Sequence, residues 1–177
     1  MRYAVLLRGV NVGSARRISM PDLRAALEGL GYTEVATYLQ SGNAVVTSPQ
    51  RSAARVAAAV EAQLKAECGI DTVAIVRTGP QLAATIAANP FPDAVTEPTR
   101  LYAVFLAADP DSARVQALAP DTWHPDEWGT GPGCLYQRFR TSPARSKLSA
   151  GLATKLKVVG TARNWNSVLA LAEMTAP

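Results

Sequence analysis

Four short stretches concentrate the residues able to hold an anion. They are LLRGVNVG (Arg8, Gly9, Asn11, Gly13), YLQSGNAVV (Ser41, Gly42, Asn43), RSKLS (Arg145, Lys147) and TARNWN (Arg163, Asn164, Asn166). Arginine presents a planar fork that meets phosphate or carboxylate with two parallel hydrogen bonds. Amide and hydroxyl side chains add donors in fixed geometry. Glycine lets backbone approach a ligand closely, and a helix start aims further N–H groups at it. These positions are the expected ligand-binding set, for a small anionic or phosphorylated molecule of nucleotide type. No base stands among them. If a reaction occurs, stabilising developing negative charge is the one role they support, and catalytic residues stay unassigned.

More specific chemistries fail on spacing. RGVNVG lacks the glycine spacing of a dinucleotide fingerprint, with no acidic residue about 20 positions on to receive a ribose. It also lacks the Gly-Lys-Ser/Thr ending of a P-loop. A Ser-His-Asp site needs a histidine, and the single one, His124, lies in the acidic stretch TWHPDEW, where it reads as a loop residue. Neither pair of stretches contains a carboxylate, which removes paired-acid glycoside chemistry. Cys68 and Cys134 are far apart and out of metal-ligand spacing. No metal and no cofactor is expected.

The elements that must position these residues follow from periodicity. YAVLLRG reads as a strand, and SMPDLRAALEGLG as a helix opened by Ser19 and closed by Gly31. TEVATYLQSGNAVVTS is a hairpin around Ser41-Gly42-Asn43. RSAARVAAAVEAQLKAECG is an amphipathic helix with Val56, Val60 and Leu64 on one face, and DTVAIVRT a strand. The order is β-α-β-β-α-β. After a connecting helix (GPQLAATIAAN) and a Pro-rich linker, the pattern returns: strand RLYAVFLA, helix PDSARVQALA, hairpin DEWGTGPGCLYQRFR, helix RSKLSAGLATKL, strand KVVGT and closing helix NWNSVLALAEM. The expected fold is α+β, with two ferredoxin-like halves forming one compact unit. The first half is 1–89, the linker 90–99, and the second, degenerate half 100–177.

Such an order has consequences for the four stretches. With right-handed crossovers, the first and third strands are neighbours, and the end of the first meets the hairpin turn. Arg8, Asn11 and Gly13 therefore meet Gln40, Ser41, Gly42 and Asn43. In the second half, TSPARSK and GTARNWN share an edge, gathering Ser142, Arg145, Ser146, Lys147, Thr161, Arg163, Asn164 and Asn166. The expected site is a crevice between the halves, with one cluster on each wall. Purely structural roles compete at several positions. Asn164 or Asn166 can cap the last helix, Trp165 can anchor it, and Ser41-Gly42-Asn43 can serve only the turn. Arg8, ending a central strand, is costly to bury unpaired and so favours a functional role.

LLRGVNVG, YLQSGNAVV, RSKLS and TARNWNSVLALAEM together resemble the recurrent motifs of the uncharacterised bacterial domain-of-unknown-function family 1697. The resemblance runs from Arg8 to the closing helix and implies a two-part α/β fold. Its matching positions are Arg8, Gly9, Asn11, Gly13, Ser41, Gly42, Asn43, Lys147, Arg163, Asn164, Trp165 and Asn166. This chain departs from the family pattern at Ser14-Ala15-Arg16-Arg17 and in TSPARSK, which are usually richer in glycine.

Composition sets the remaining bounds. A net charge of +4 permits an anionic partner without requiring one. Charges from Asp109 to Glu127 are mostly acidic, and those from Arg138 to Arg163 all basic. This basic run supports a nucleic-acid-binding alternative, for RNA or single-stranded DNA. There Tyr136 stacks on bases while Arg138 and Arg140 reach phosphates from the same strand face. A ligand-free structural domain is a third reading. No apolar run reaches the ~18 residues of a membrane span, and no signal-length segment precedes Arg8. A cytoplasmic protein with reduced cysteines and no membrane partner is expected. Oligomeric state is not encoded in these features.

Overall fold

The computed structural model describes residues 1–13 and 16–176. It is mixed α+β, with two four-stranded antiparallel sheets. The chain divides into two compact units, Met1–Leu82 with Leu171–Pro177, and Ala83–Ala170.

The first unit runs β1 (Arg2–Leu7), α1 (Met20–Gly29), β2 (Thr33–Tyr38), β3 (Asn43–Thr47), α2 (Ala53–Cys68) and β4 (Ala74–Thr78). Its strand order is β2-β3-β1-β4. Register explains the core. Val5 stands opposite Ala44 and Val76, and Tyr3 opposite Val46, so these side chains share one sheet face. Leu23, Ala26 and Leu27 of α1 and Val56, Val60 and Leu64 of α2 close over that face. Burying each of the large aliphatic side chains stabilises the unit by about 1.5–3 kcal/mol. Local chemistry sets the helix ends. The Ser19 and Ser52 hydroxyls accept from the backbone N–H groups of Asp22 and Arg55, and Gly69 ends α2 in the left-handed region.

α3 (Gly79–Ala87) leads into the second unit, which runs β5 (Leu101–Leu106), α4 (Ser112–Ala117), β6 (Glu127–Gly131), β7 (Cys134–Arg138), α5 (Leu148–Leu156) and β8 (Gly160–Asn164) before α6 (Trp165–Met174). The strand order β6-β7-β5-β8 repeats the first. Val104, Leu106 and Leu135 pack with Leu148, Leu152 and Leu156 of α5.

Two segments differ from the sequence expectation. The Pro-rich stretch is not a bare linker: Pro92–Thr96 forms a 3-10 helix, Ala94 is buried, and Asp93 pairs with Arg138 of β7. The last strand begins at Gly160 and not at Lys157. Lys157 adopts the left-handed conformation that ends α5, and Val158 N–H donates to Ala153 O at 3.1 Å. Helix termination thus consumes the residues expected to open the strand, and Arg163 falls inside it. Among the described residues, no helix is long and apolar enough to cross a membrane.

Candidate functional site

In the first unit, the end of β1 and the β2–β3 turn meet as the strand order requires. Leu7 N–H donates to Gly42 O at 2.9 Å, and Asn11 Nδ2 donates to Gln40 O at 2.7 Å. Asn11 also donates to Ile18 O and accepts from Ile18 N–H, each at 2.9 Å. Its amide therefore clasps the loop leaving β1 and ties it to the turn. Gly9, Asn11 and Gly13 all have positive φ, between 55° and 67°, so residues 9–13 wind tightly. Ser14 and Ala15, the first two positions departing from the family pattern, lie outside the described residues.

Gly42 is dictated by geometry. Its φ is +75°, and a Cβ there would overlap Val10 Cγ2 and Leu7 Cβ. Asn43 is fully buried and donates to Tyr38 O at 3.0 Å and Ser41 Oγ at 2.9 Å, closing the turn. Arg8 is exposed, one residue beyond β1; its N–H donates to Val73 O and its carbonyl accepts from Thr72 Oγ1. A buried strand-end charge is therefore not a reason to assign it function. Gly9, Gly13 and Ser41 are also exposed.

The second cluster divides. β7 and β8 flank β5, so their ends lie two strand steps, about 10 Å, apart. On β8, Arg163 is 6% exposed and donates to Thr161 Oγ1 at 2.7 Å and Ala162 O at 2.8 Å. Burial lowers its pKa to about 10, still well above neutrality. Asn164 Oδ1 accepts from Ser167 N–H at 3.0 Å, the cap of α6, and Trp165 is buried beside it. Asn166 is exposed.

The loop from β7 to α5 builds the other part. Thr122, Trp123, His124, Pro125, Asp126, Thr141, Arg145, Ser146 and Lys147 line a pocket of about 230 Å³. Asp126, 6% exposed, organises it. One carboxylate oxygen accepts from Arg140 N–H at 2.8 Å and Thr141 N–H at 3.3 Å; the other accepts from Ser146 Oγ at 2.6 Å. Ser146 Oγ in turn accepts from Leu148 N–H, the first residue of α5, at 3.0 Å. The carboxylate thus pins both pocket walls while its charge is met by fixed donors. Arg145 and Lys147 stand exposed on the rim at the positive end of α5.

Sequence reasoning held this cluster to be free of carboxylates and set His124 aside. The hairpin register could have found both. Glu127 pairs with Arg138, which places Asp126 and its predecessors against the residues after Arg138. Among the described residues, no group of three or more His, Cys, Asp and Glu side chains could hold a metal ion.

The residues of the nucleic-acid alternative sit differently. Tyr136 is fully buried, and its hydroxyl donates to Thr85 O at 2.6 Å. Arg138 pairs with Asp93 and with Glu127 at 3.5 Å and lies 5.9 Å from the centre of the Phe91 ring. Arg140 Nε donates to Glu127 at 2.8 Å.

No curated protein matches the chain. Its fold is that of the conserved bacterial protein SP0830 from Streptococcus pneumoniae, at 22% identity and a TM-score of 0.77, covering 99% of this chain and 98% of that one. The family model described as protein of unknown function (DUF1697) matches residues 1–136, ending before RSKLS and TARNWN. That span is well over half of the sequence, and the chain belongs to this family.

Proposed function

We propose that the protein binds a small anionic, phosphorylated ligand in the pocket between the 122–126 loop and the start of α5. One observation carries the reading. Arg145 and Lys147 border a concave site whose single lining carboxylate, Asp126, is already engaged by Arg140, Thr141 and Ser146 donors. Two cations against one carboxylate, itself hydrogen-bonded within the wall, leave the mouth net positive, and the adjoining helix start adds to that potential. Arg145 supplies bidentate geometry and Lys147 a mobile point charge. Stabilisation of negative charge is the catalytic contribution these groups support, should the bound molecule react. A stacking role for nucleic acid draws no support from a buried Tyr136.

We also read each unit as ferredoxin-like. The element order β-α-β-β-α-β with strand orders β2-β3-β1-β4 and β6-β7-β5-β8 supports this. Cys68 and Cys134, neither of them in a disulfide, support a reducing, cytoplasmic setting.

A thermal-shift series tests the ligand reading, using inorganic phosphate, phosphomonoesters and a single-stranded oligonucleotide. At a concentration 100-fold above Kd, a ligand should stabilise by about 2.7 kcal/mol, a rise of roughly 5–10 °C. The rise should vanish in Arg145→Ala/Lys147→Ala. An unchanged rise in that double variant, or a rise with the oligonucleotide alone, would contradict the proposal.

A further inference from the structure

The same pocket carries information about the body of the ligand, not only its charge. Trp123 forms one wall, and its indole is set directly against α5 at Gly151. A Cβ on Gly151 would stand 2.8 Å from Trp123 Nε1 and 3.0 Å from Cζ2. A side chain larger than glycine's leaves no room for the ring there, so the Nε1–Cζ2 edge of the indole is seated against the helix and its position is fixed. It packs against the hydrophobic cluster that contains the buried leucines of α5. The pocket lining therefore combines two chemistries: a fixed indole with Pro125, and the cations Arg145 and Lys147.

Volume limits what can lie between them. An engineered apolar cavity of about 150 Å³ accommodates a benzene molecule. A pocket of about 230 Å³ thus takes one six-membered ring and a phosphoryl group. It is too small to enclose a base, a pentose and a phosphate together.

Resting on the phosphorylated-ligand reading, we infer that the pocket selects a monocyclic aryl phosphate, with its ring on the Trp123 indole and its phosphoryl group at Arg145 and Lys147. Offset stacking on the indole supplies affinity that inorganic phosphate cannot obtain. A nucleoside monophosphate has to leave its base or sugar outside, and gains little over phosphate.

Calorimetric titrations of the full chain with inorganic phosphate, phenyl phosphate and adenosine monophosphate test this, with Trp123 fluorescence as a second readout. Phenyl phosphate should bind about tenfold tighter than inorganic phosphate, and adenosine monophosphate within about threefold of it. In Trp123→Leu, the phenyl-to-phosphate affinity ratio should fall to near one. Gly151→Ala, which displaces the indole from its seat on α5, should lower the same ratio and serves where the leucine variant fails to fold. Equal affinities for phenyl phosphate and phosphate in the wild type would overturn the aryl inference while leaving the phosphorylated-ligand reading intact. Tighter binding of adenosine monophosphate than of phenyl phosphate would likewise overturn it. If none of the three binds, the ligand reading itself falls.

Discussion

At the scale of single residues, polar side chains chosen for ligand chemistry often serve the backbone. Asn11, Asn43 and Asn164 spend their amides on a loop clasp, a turn and a helix cap. Gly42 shows how little freedom such a position has, because both its φ and its contacts require the absence of a Cβ. Gly42→Ala should destabilise the first unit by about 2–4 kcal/mol, read from urea midpoints; a cost under about 0.5 kcal/mol would refute the packing account. Asp93 carries a pH dependence. Its hydrogen bond to Arg138 lowers its pKa below the usual 3.8. A lowered folded-state value means the contribution is complete above that range and is lost as pH falls through the folded value. Stability curves between about pH 2 and 6 should therefore show a shallower acid limb in Asp93→Asn than in the wild type. Identical limbs would show the pair to be energetically silent, screened through its exposed Asp93 side.

At the scale of elements, helix ends and loop clasps decide where the chemistry lies. Termination of α5 through Lys157 moves β8 along the chain, so Arg163 becomes a buried strand residue and not a loop donor. The pocket depends instead on Asp126, a carboxylate that holds two loops together. Asp126→Ala leaves the Arg140 and Thr141 amides and the Ser146 hydroxyl without their acceptor. It should cost about 2–4 kcal/mol and abolish phosphate binding together. Asp126→Asn retains an acceptor but presents an amide group where Ser146 now donates, and should fall between. Loss of stability with ligand affinity preserved would mean the walls are positioned by something else.

At the scale of the molecule, strand order was largely legible and side-chain burial was not. Apolar alternation and capping residues mark β1 through β4 and both principal helices locally. The pairing of β1 with β3, which joins Asn11 to Gln40, follows from that order alone. Arg138 illustrates what sequence could not supply. It lies in a basic run, yet it is nearly buried against Asp93, some 45 residues earlier in the chain. Only three-dimensional structure sets such a partner, and with it the neutralisation of a charge that looked available for nucleic acid. Tyr136 was legible as a strand residue, but not its burial or the bond from its hydroxyl to Thr85 O, 51 residues earlier. A net charge of +4 favours anions in general, and added salt should weaken their capture. The central claim is narrower, because it names a place. A ¹H–¹⁵N NMR titration with inorganic phosphate tests it directly. The account predicts saturable shifts in the amides of Ser146, Lys147, Leu148 and the 122–126 loop, together with the Trp123 indole, while α2 stays unmoved. Shifts confined to the first unit, or none at all, would contradict it.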